Sequence, residues 1–97
     1  MNRGFFDQPQ TTIPVSEDAI QMLGEMLQSS IGFYVVCDFL IGTQNIETRD
    51  GILYQVGTNY ITLYQQSLNR YIVCDLYSLK FITIYNLREA PPRPIAG

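Results

Sequence analysis

FYVVCDFLIG (residues 33–42), GILYQV (51–56), NYITLYQQ (59–66), RYIVCD (70–75) and KFITIY (80–85) decide the fold. Each run is rich in Val, Ile, Tyr, Phe and Thr and is bounded by Gly, Asn, Asp or Ser, as strands of a small all-β unit are. The first run has a period of 2: Phe33, Val35, Cys37, Phe39 and Ile41 share one face, and Tyr34, Val36, Asp38 and Leu40 share the other. Apolar residues on nearly both faces predict a strand that bends through a small barrel. Gly57-Thr58-Asn59 is a tight-hairpin signal between the second and third runs. In the third run Ile61 and Leu63 face one way and Tyr60, Thr62 and Tyr64 the other. Residues 76–79 are too few for a helix and read as a single turn before the fifth run. GTQNIETRDG (42–51) is the longest polar stretch and is expected to be a mobile loop.

Working outward, the period changes to 3.6 ahead of the strands. Ile20, Leu23 and Leu27 recur at helical spacing, with Ser16 as an N-cap and Glu17 and Asp18 in the first turn, where acidic groups meet the positive end of the helix dipole. An amphipathic helix from about residue 17 to 28 or 29 follows, stopped by Gly32. Residues 1–15 have no period and form an N-terminal arm. Phe5, Phe6, Ile13 and Val15 are unfavourable in water, so the arm is expected to dock on its own domain or on a neighbouring copy. Residues 87–97, LREAPPRPIAG, are proline-rich and form a second, extended arm. The expected architecture is therefore mainly β: one domain over residues 16–86, an N-terminal helix and a five-stranded, strongly bent antiparallel barrel, with an arm at each end.

At 97 residues there is room for one core and no second domain. Only 15% of residues are charged, against 46% hydrophobic, and the net charge is −3. A surface covered by Tyr, Thr, Gln, Asn and Ser repels its neighbours weakly, so self-association is expected. Six thinly spread basic residues argue against nucleic acid, whose phosphates call for a basic patch. Phe5-Phe6 is followed by DQPQTT, unlike a signal peptide, and no apolar run approaches a spanning helix, so a soluble intracellular product with no membrane partner is expected.

Chemistry-bearing patterns are sparse. The chain has no histidine, the usual general base, and no Gly-rich loop with a lysine. Asp38 and Asp75 each follow a cysteine, but adjacent residues on a strand point to opposite faces, so neither pair forms a dyad. Cys37 and Cys74 read as small buried core thiols, with a bridge between them or between subunits left open. No metal site, cofactor or enzymatic activity is expected. Seven tyrosines, most of them in the second half, point to cross-strand packing or a protein interface.

Residues 19–86 resemble the small spore coat proteins of spore-forming Firmicutes, in particular the GerQ-like family. The likeness is carried by YVVCDFLIGTQN, GILYQVGTNYITLYQ and RYIVCDLYSLKFITIYN, with Gly51, Gly57, Tyr60, Ile61, Arg70, Tyr71, Tyr77 and Phe81 at the matching places. The resemblance implies a structural protein made in the mother cell, placed in the spore coat, and involved in coat assembly and in positioning a cortex-lytic hydrolase for germination. It also implies cross-linking by a transglutaminase, but Lys80 is the single lysine and lies in a strand, leaving Gln8 and Gln10 of the arm as acyl donors. A second, more distant resemblance is to Sm-like RNA-binding proteins, which share the order of one helix and five strands and close rings by pairing the fourth strand with a neighbour's fifth. Their acidic–aromatic–Asn motif is not recognisable here, and Cys74-Asp75-Leu76 stands where an Arg-Gly pair would be expected.

The reading that results is a non-enzymatic, self-assembling coat protein that contacts copies of itself and other coat proteins. Phe5, Phe6, Ile13, Tyr71, Val73, Phe81, Thr83 and Tyr85 are its expected subunit interface. The alternatives are an adaptor for the hydrolase and an Sm-like, ring-forming nucleic-acid module.

Overall fold

The computed structural model describes residues 17–92, so Ser16 and the arm residues Phe5, Phe6 and Ile13 lie outside the described residues. Helix α1 spans Glu17–Gln28, with Glu17 and Asp18 in its first turn and Ile20, Gly24 and Leu27 buried. Five strands follow: β1 Tyr34–Ile41, β2 Asn45–Val56, β3 Tyr60–Gln65, β4 Arg70–Asp75 and β5 Leu79–Ile84. They form one antiparallel sheet in the order β4-β3-β2-β1-β5. The fold is thus mainly β, one helix and then a five-stranded sheet, and the sheet is not closed: β4 and β5 are its two edges.

The stretch expected to be a loop is instead half of a long strand. Only residues 42–44 turn, with Gly42 in the left-handed region at φ 71°, and β2 then starts at Asn45. Residues 45–50 pair with residues 36–41 of β1 in continuous register. The ladder itself supplies the reason, because its backbone bonds do not depend on apolar side chains. Thr48 also donates to Asp38 at 2.7 Å, and Arg49 pairs with Glu47 at 3.0 Å on the same strand face.

Gly51 sits where this polar half of β2 passes into the apolar half. A Cβ there would lie 2.8 Å from the Tyr64 carbonyl oxygen and 3.2 Å from Leu63 Cβ, so glycine lets β3 approach the backbone of β2. Ladder irregularities at Asp38/Phe39 and Leu53/Gln55 add local bends.

The core lies on the inner face. Val35, Cys37 and Phe39 of β1, Leu53 and Val56 of β2, Ile61 and Leu63 of β3 and Cys74 of β4 meet Ile20 and Leu27 of α1 and Leu76 after β4. The alternation read for β1 and β3 is therefore the observed one. The helix crosses the end of the β2–β3 hairpin, where Gln28 Nε2 donates to the Val56 carbonyl at 3.2 Å and Gly24 lies against the Gly57 carbonyl. Residues 76–78 form a single 3-10 turn held by Asp75, whose carboxylate accepts from Tyr77 N and Ser78 Oγ.

The segment after β5 stays attached through its first residues. Tyr85 N donates to the Tyr34 carbonyl, Tyr34 N donates to the Leu87 carbonyl, and the Arg88 guanidinium stacks 4.1 Å above the Phe33 ring. Gly32, at φ 98°, makes room for that guanidinium, which would stand 2.7 Å from a Cβ.

Candidate functional site

Among the described residues, the two sheet edges carry large exposed apolar side chains. Both are six residues long, contain no proline and use only one side of their backbone for pairing: β4 with β3, β5 with β1. Among the described residues no strand pairs with the outer side of either. Alternation turns Ile72 and Cys74 toward the core and leaves Tyr71 and Val73 facing outward; on β5 it turns Ile82 inward and leaves Phe81 and Thr83 outward. Val73 is 67% exposed and Phe81 68%, as large as any apolar exposure on the described chain outside α1.

Charge protects these edges weakly. Arg70 Nε is held by Gln65 Oε1 at 2.6 Å, and the Asp75 carboxylate is occupied by the turn that follows it. Lys80 is the remaining charge, and charge, proline and bulges are the usual devices that blunt an open edge. Of the residues expected at an interface, Tyr71, Val73, Phe81 and Thr83 are on these edges and exposed. Tyr85 falls just beyond β5, half-buried, with its ring 5.7 Å from that of Tyr34.

Next to β4 the outer face becomes aromatic. Tyr54 of β2, Tyr64 of β3 and Tyr71 of β4 form a cluster with ring centroids 4.8 Å apart for Tyr54–Tyr71 and 5.0 Å for Tyr64–Tyr71. Partial removal from water, followed by the charge of and a hydrogen bond with Tyr54 and the charge of Tyr64, raises Tyr71 above the ordinary phenol value. Phe39, Ile41, Glu47, Arg49, Ile72 and Val73 are among the residues that line an open cleft of about 530 Å³ beside β4. Compared with known proteins, the chain matches no family model and no curated sequence.

Cys37 and Cys74 are free, buried thiols in the same core. Burial pushes Cys37 up to about 12, with Cys74, Asp38 and Asp50 adding in the same direction. Burial also raises Cys74, against a smaller opposing pull from Arg49. Neither is poised as a thiolate near neutrality. Asp38 accepts from Thr48, and Asp75 caps a turn, so both carboxylates have structural partners.

Three of these features escaped sequence reading. The tyrosine cluster needed the register that sets Tyr64 opposite Tyr71, and the Tyr34 hydroxyl's bond to Asp50 at 2.5 Å joins residues 16 positions apart. The strand character of residues 45–50 had a signal, the alternation of Ile46 and Thr48, which its polar neighbours masked.

Proposed function

We propose that this chain is a non-enzymatic, self-assembling structural protein that joins copies of itself through its edge strands, of the kind that builds a bacterial spore coat or spore surface. The observation that carries the reading is the pair of edges left unpaired by any described strand, with the apolar Val73 and Phe81 two-thirds exposed on them. Unpaired N–H and C=O groups beside such side chains are a template for another chain. The low charge of the whole surface works in the same direction. The GerQ-like resemblance supplies the setting: synthesis in the mother cell, deposition in the coat, and other coat proteins as partners.

We read the sheet as curled toward an SH3-like or Sm-like barrel. In a flat sheet β4 and β5 would stand about 19 Å apart, four spacings of roughly 4.8 Å. Asp75 and Leu79 are four residues apart in sequence, which reaches at most about 14 Å. Curling brings the two edges within that reach. The strand order leaves free the two strands that an Sm-like ring would join, which favours a closed ring as a second form of the same assembly. An adaptor for a cortex-lytic hydrolase would use the same edges on a different partner.

Light scattering of the purified chain, with and without reductant, tests the reading. Particles much larger than the 11.1 kDa chain are expected, unchanged by reductant because both thiols are buried. A monomer at every concentration would overturn self-assembly and leave the adaptor, whereas salt-dependent RNA binding would point to the nucleic-acid module.

A further inference from the structure

The tyrosine cluster goes beyond assembly through the edges, because it places oxidisable groups together where a reagent can reach them. Leu53, Ile61 and Leu63 point into the core, so their neighbours Tyr54 and Tyr64 project outward, and Tyr71 joins them from β4. Tyr54 is 53% exposed and Tyr71 54%, and their ring centroids are 4.8 Å apart at an angle of 57°. Tyr64 is less exposed, and its hydroxyl donates to Asn69 Oδ1 at 3.0 Å. The chain contains no tryptophan or histidine, and both thiols are buried, so a radical formed on a surface tyrosine competes mainly with other tyrosines, while the exposed Met22 and Met26 take up peroxide separately as sulfoxides.

We propose that Tyr54 and Tyr71 are a site of oxidative phenol coupling, which ties β2 to β4 across β3 when the protein meets hydrogen peroxide and a haem peroxidase. Each phenol gives one electron to the oxidised haem and its hydroxyl proton to water, leaving two phenoxyl radicals. The radicals join through one ring carbon ortho to each oxygen, forming a C–C bond. The hydrogen on each joined carbon then leaves as a proton while the oxygen regains one, which restores both aromatic rings. Two electrons and two protons are lost overall, and they reduce one hydrogen peroxide to two waters. The product staples the outer face of the sheet beside the β4 edge, so it would harden an assembled particle from within each copy.

The test treats the full chain, diluted until it scatters as a single chain, with horseradish peroxidase and hydrogen peroxide. The expected product has dityrosine fluorescence, a one-chain mass lighter by two hydrogen atoms, and a link mapped by peptide analysis to Tyr54 and Tyr71. Tyr54→Phe and Tyr71→Phe should each reduce that fluorescence to background, while Tyr77→Phe leaves it unchanged. Circular dichroism confirms that each variant, which keeps its ring, is folded. A link at Tyr64–Tyr71, coupling only between chains, or full fluorescence in Tyr54→Phe would each overturn the assignment. Because the readout is within one chain, it can fail or succeed whether or not the protein self-assembles.

Discussion

Placing lysine on both edges, Val73→Lys with Phe81→Lys, should dissolve the proposed assembly and leave the fold standing. Each side chain is about two-thirds exposed in the single chain. Full burial of a Val or Phe is favourable by about 1.5–3 kcal/mol, so covering the exposed two-thirds of both contributes roughly 2–4 kcal/mol per contact. That corresponds to a roughly 30- to 800-fold weaker association when both are lost. The folded chain itself should change by only about 0.5 kcal/mol at each position, as surface substitutions do. The choice of lysine makes the test harder to pass for the wrong reason: it moves the net charge from −3 to −1 (−3 + 2), which by itself favours association. Sedimentation velocity against concentration reads the effect, with a thermal melt by circular dichroism as the check on folding. The matching control is Met22→Lys with Met26→Lys, on helix residues that are 68% and 66% exposed but away from both edges. Particles of wild-type size in the edge variant, or equal disruption by the helix variant, would refute the reasoning.

Gly51→Ala should destabilise the fold by about 1–3 kcal/mol, the usual effect of overpacking, because the new methyl would press on the Tyr64 backbone oxygen at 2.8 Å; a denaturant melt with an unchanged midpoint would show that β3 can move aside. Tyr34→Phe removes a buried hydroxyl that donates to the Asp50 carboxylate and should lose about 1.5–3 kcal/mol in the same assay. Alkaline stability should depend on Cys37, whose folded value is raised from 9.0 to about 12. The folded state holds this proton more tightly than the unfolded one, so the contribution is intact below pH 9 and is lost as pH rises toward 12. The slope is at most about 1.4 kcal/mol per pH unit, and Cys37→Ala should flatten the curve of stability against pH in that window.

The fold was legible where apolar periodicity was strong and illegible where the backbone alone held a strand. Ile20, Leu23 and Leu27 specify the helix, and Ile61 and Leu63 specify the inner face of β3, because each buries side chains at the period of its element. Residues 45–50 bury little, so only the faint alternation of Ile46 and Thr48 marks them; their strand is imposed by pairing with β1, a contact no local reading contains. The edges were legible as few-charged runs at 70–75 and 80–85. That these two strands would be the edges was expected from the Sm-like resemblance and not from local pattern, because strand order depends on β5 returning to β1 rather than to β4.

That return explains why the edges remain open. Four antiparallel pairings separate β4 from β5, so the two strands run in the same sense, and joining them within one chain would require a parallel pair. Parallel neighbours need a crossover of a dozen or more residues, whereas β4 and β5 are linked by the three residues Leu76–Ser78. Lengthening β4 or β5 would therefore not close the sheet; it would only extend the unpaired backbone. The outer N–H and C=O groups of residues 70–75 and 79–84 can be satisfied by water or by another chain, and the exposed Val73 and Phe81 side chains beside them favour the chain. The same short turn thus leaves both edges unpaired within the described chain.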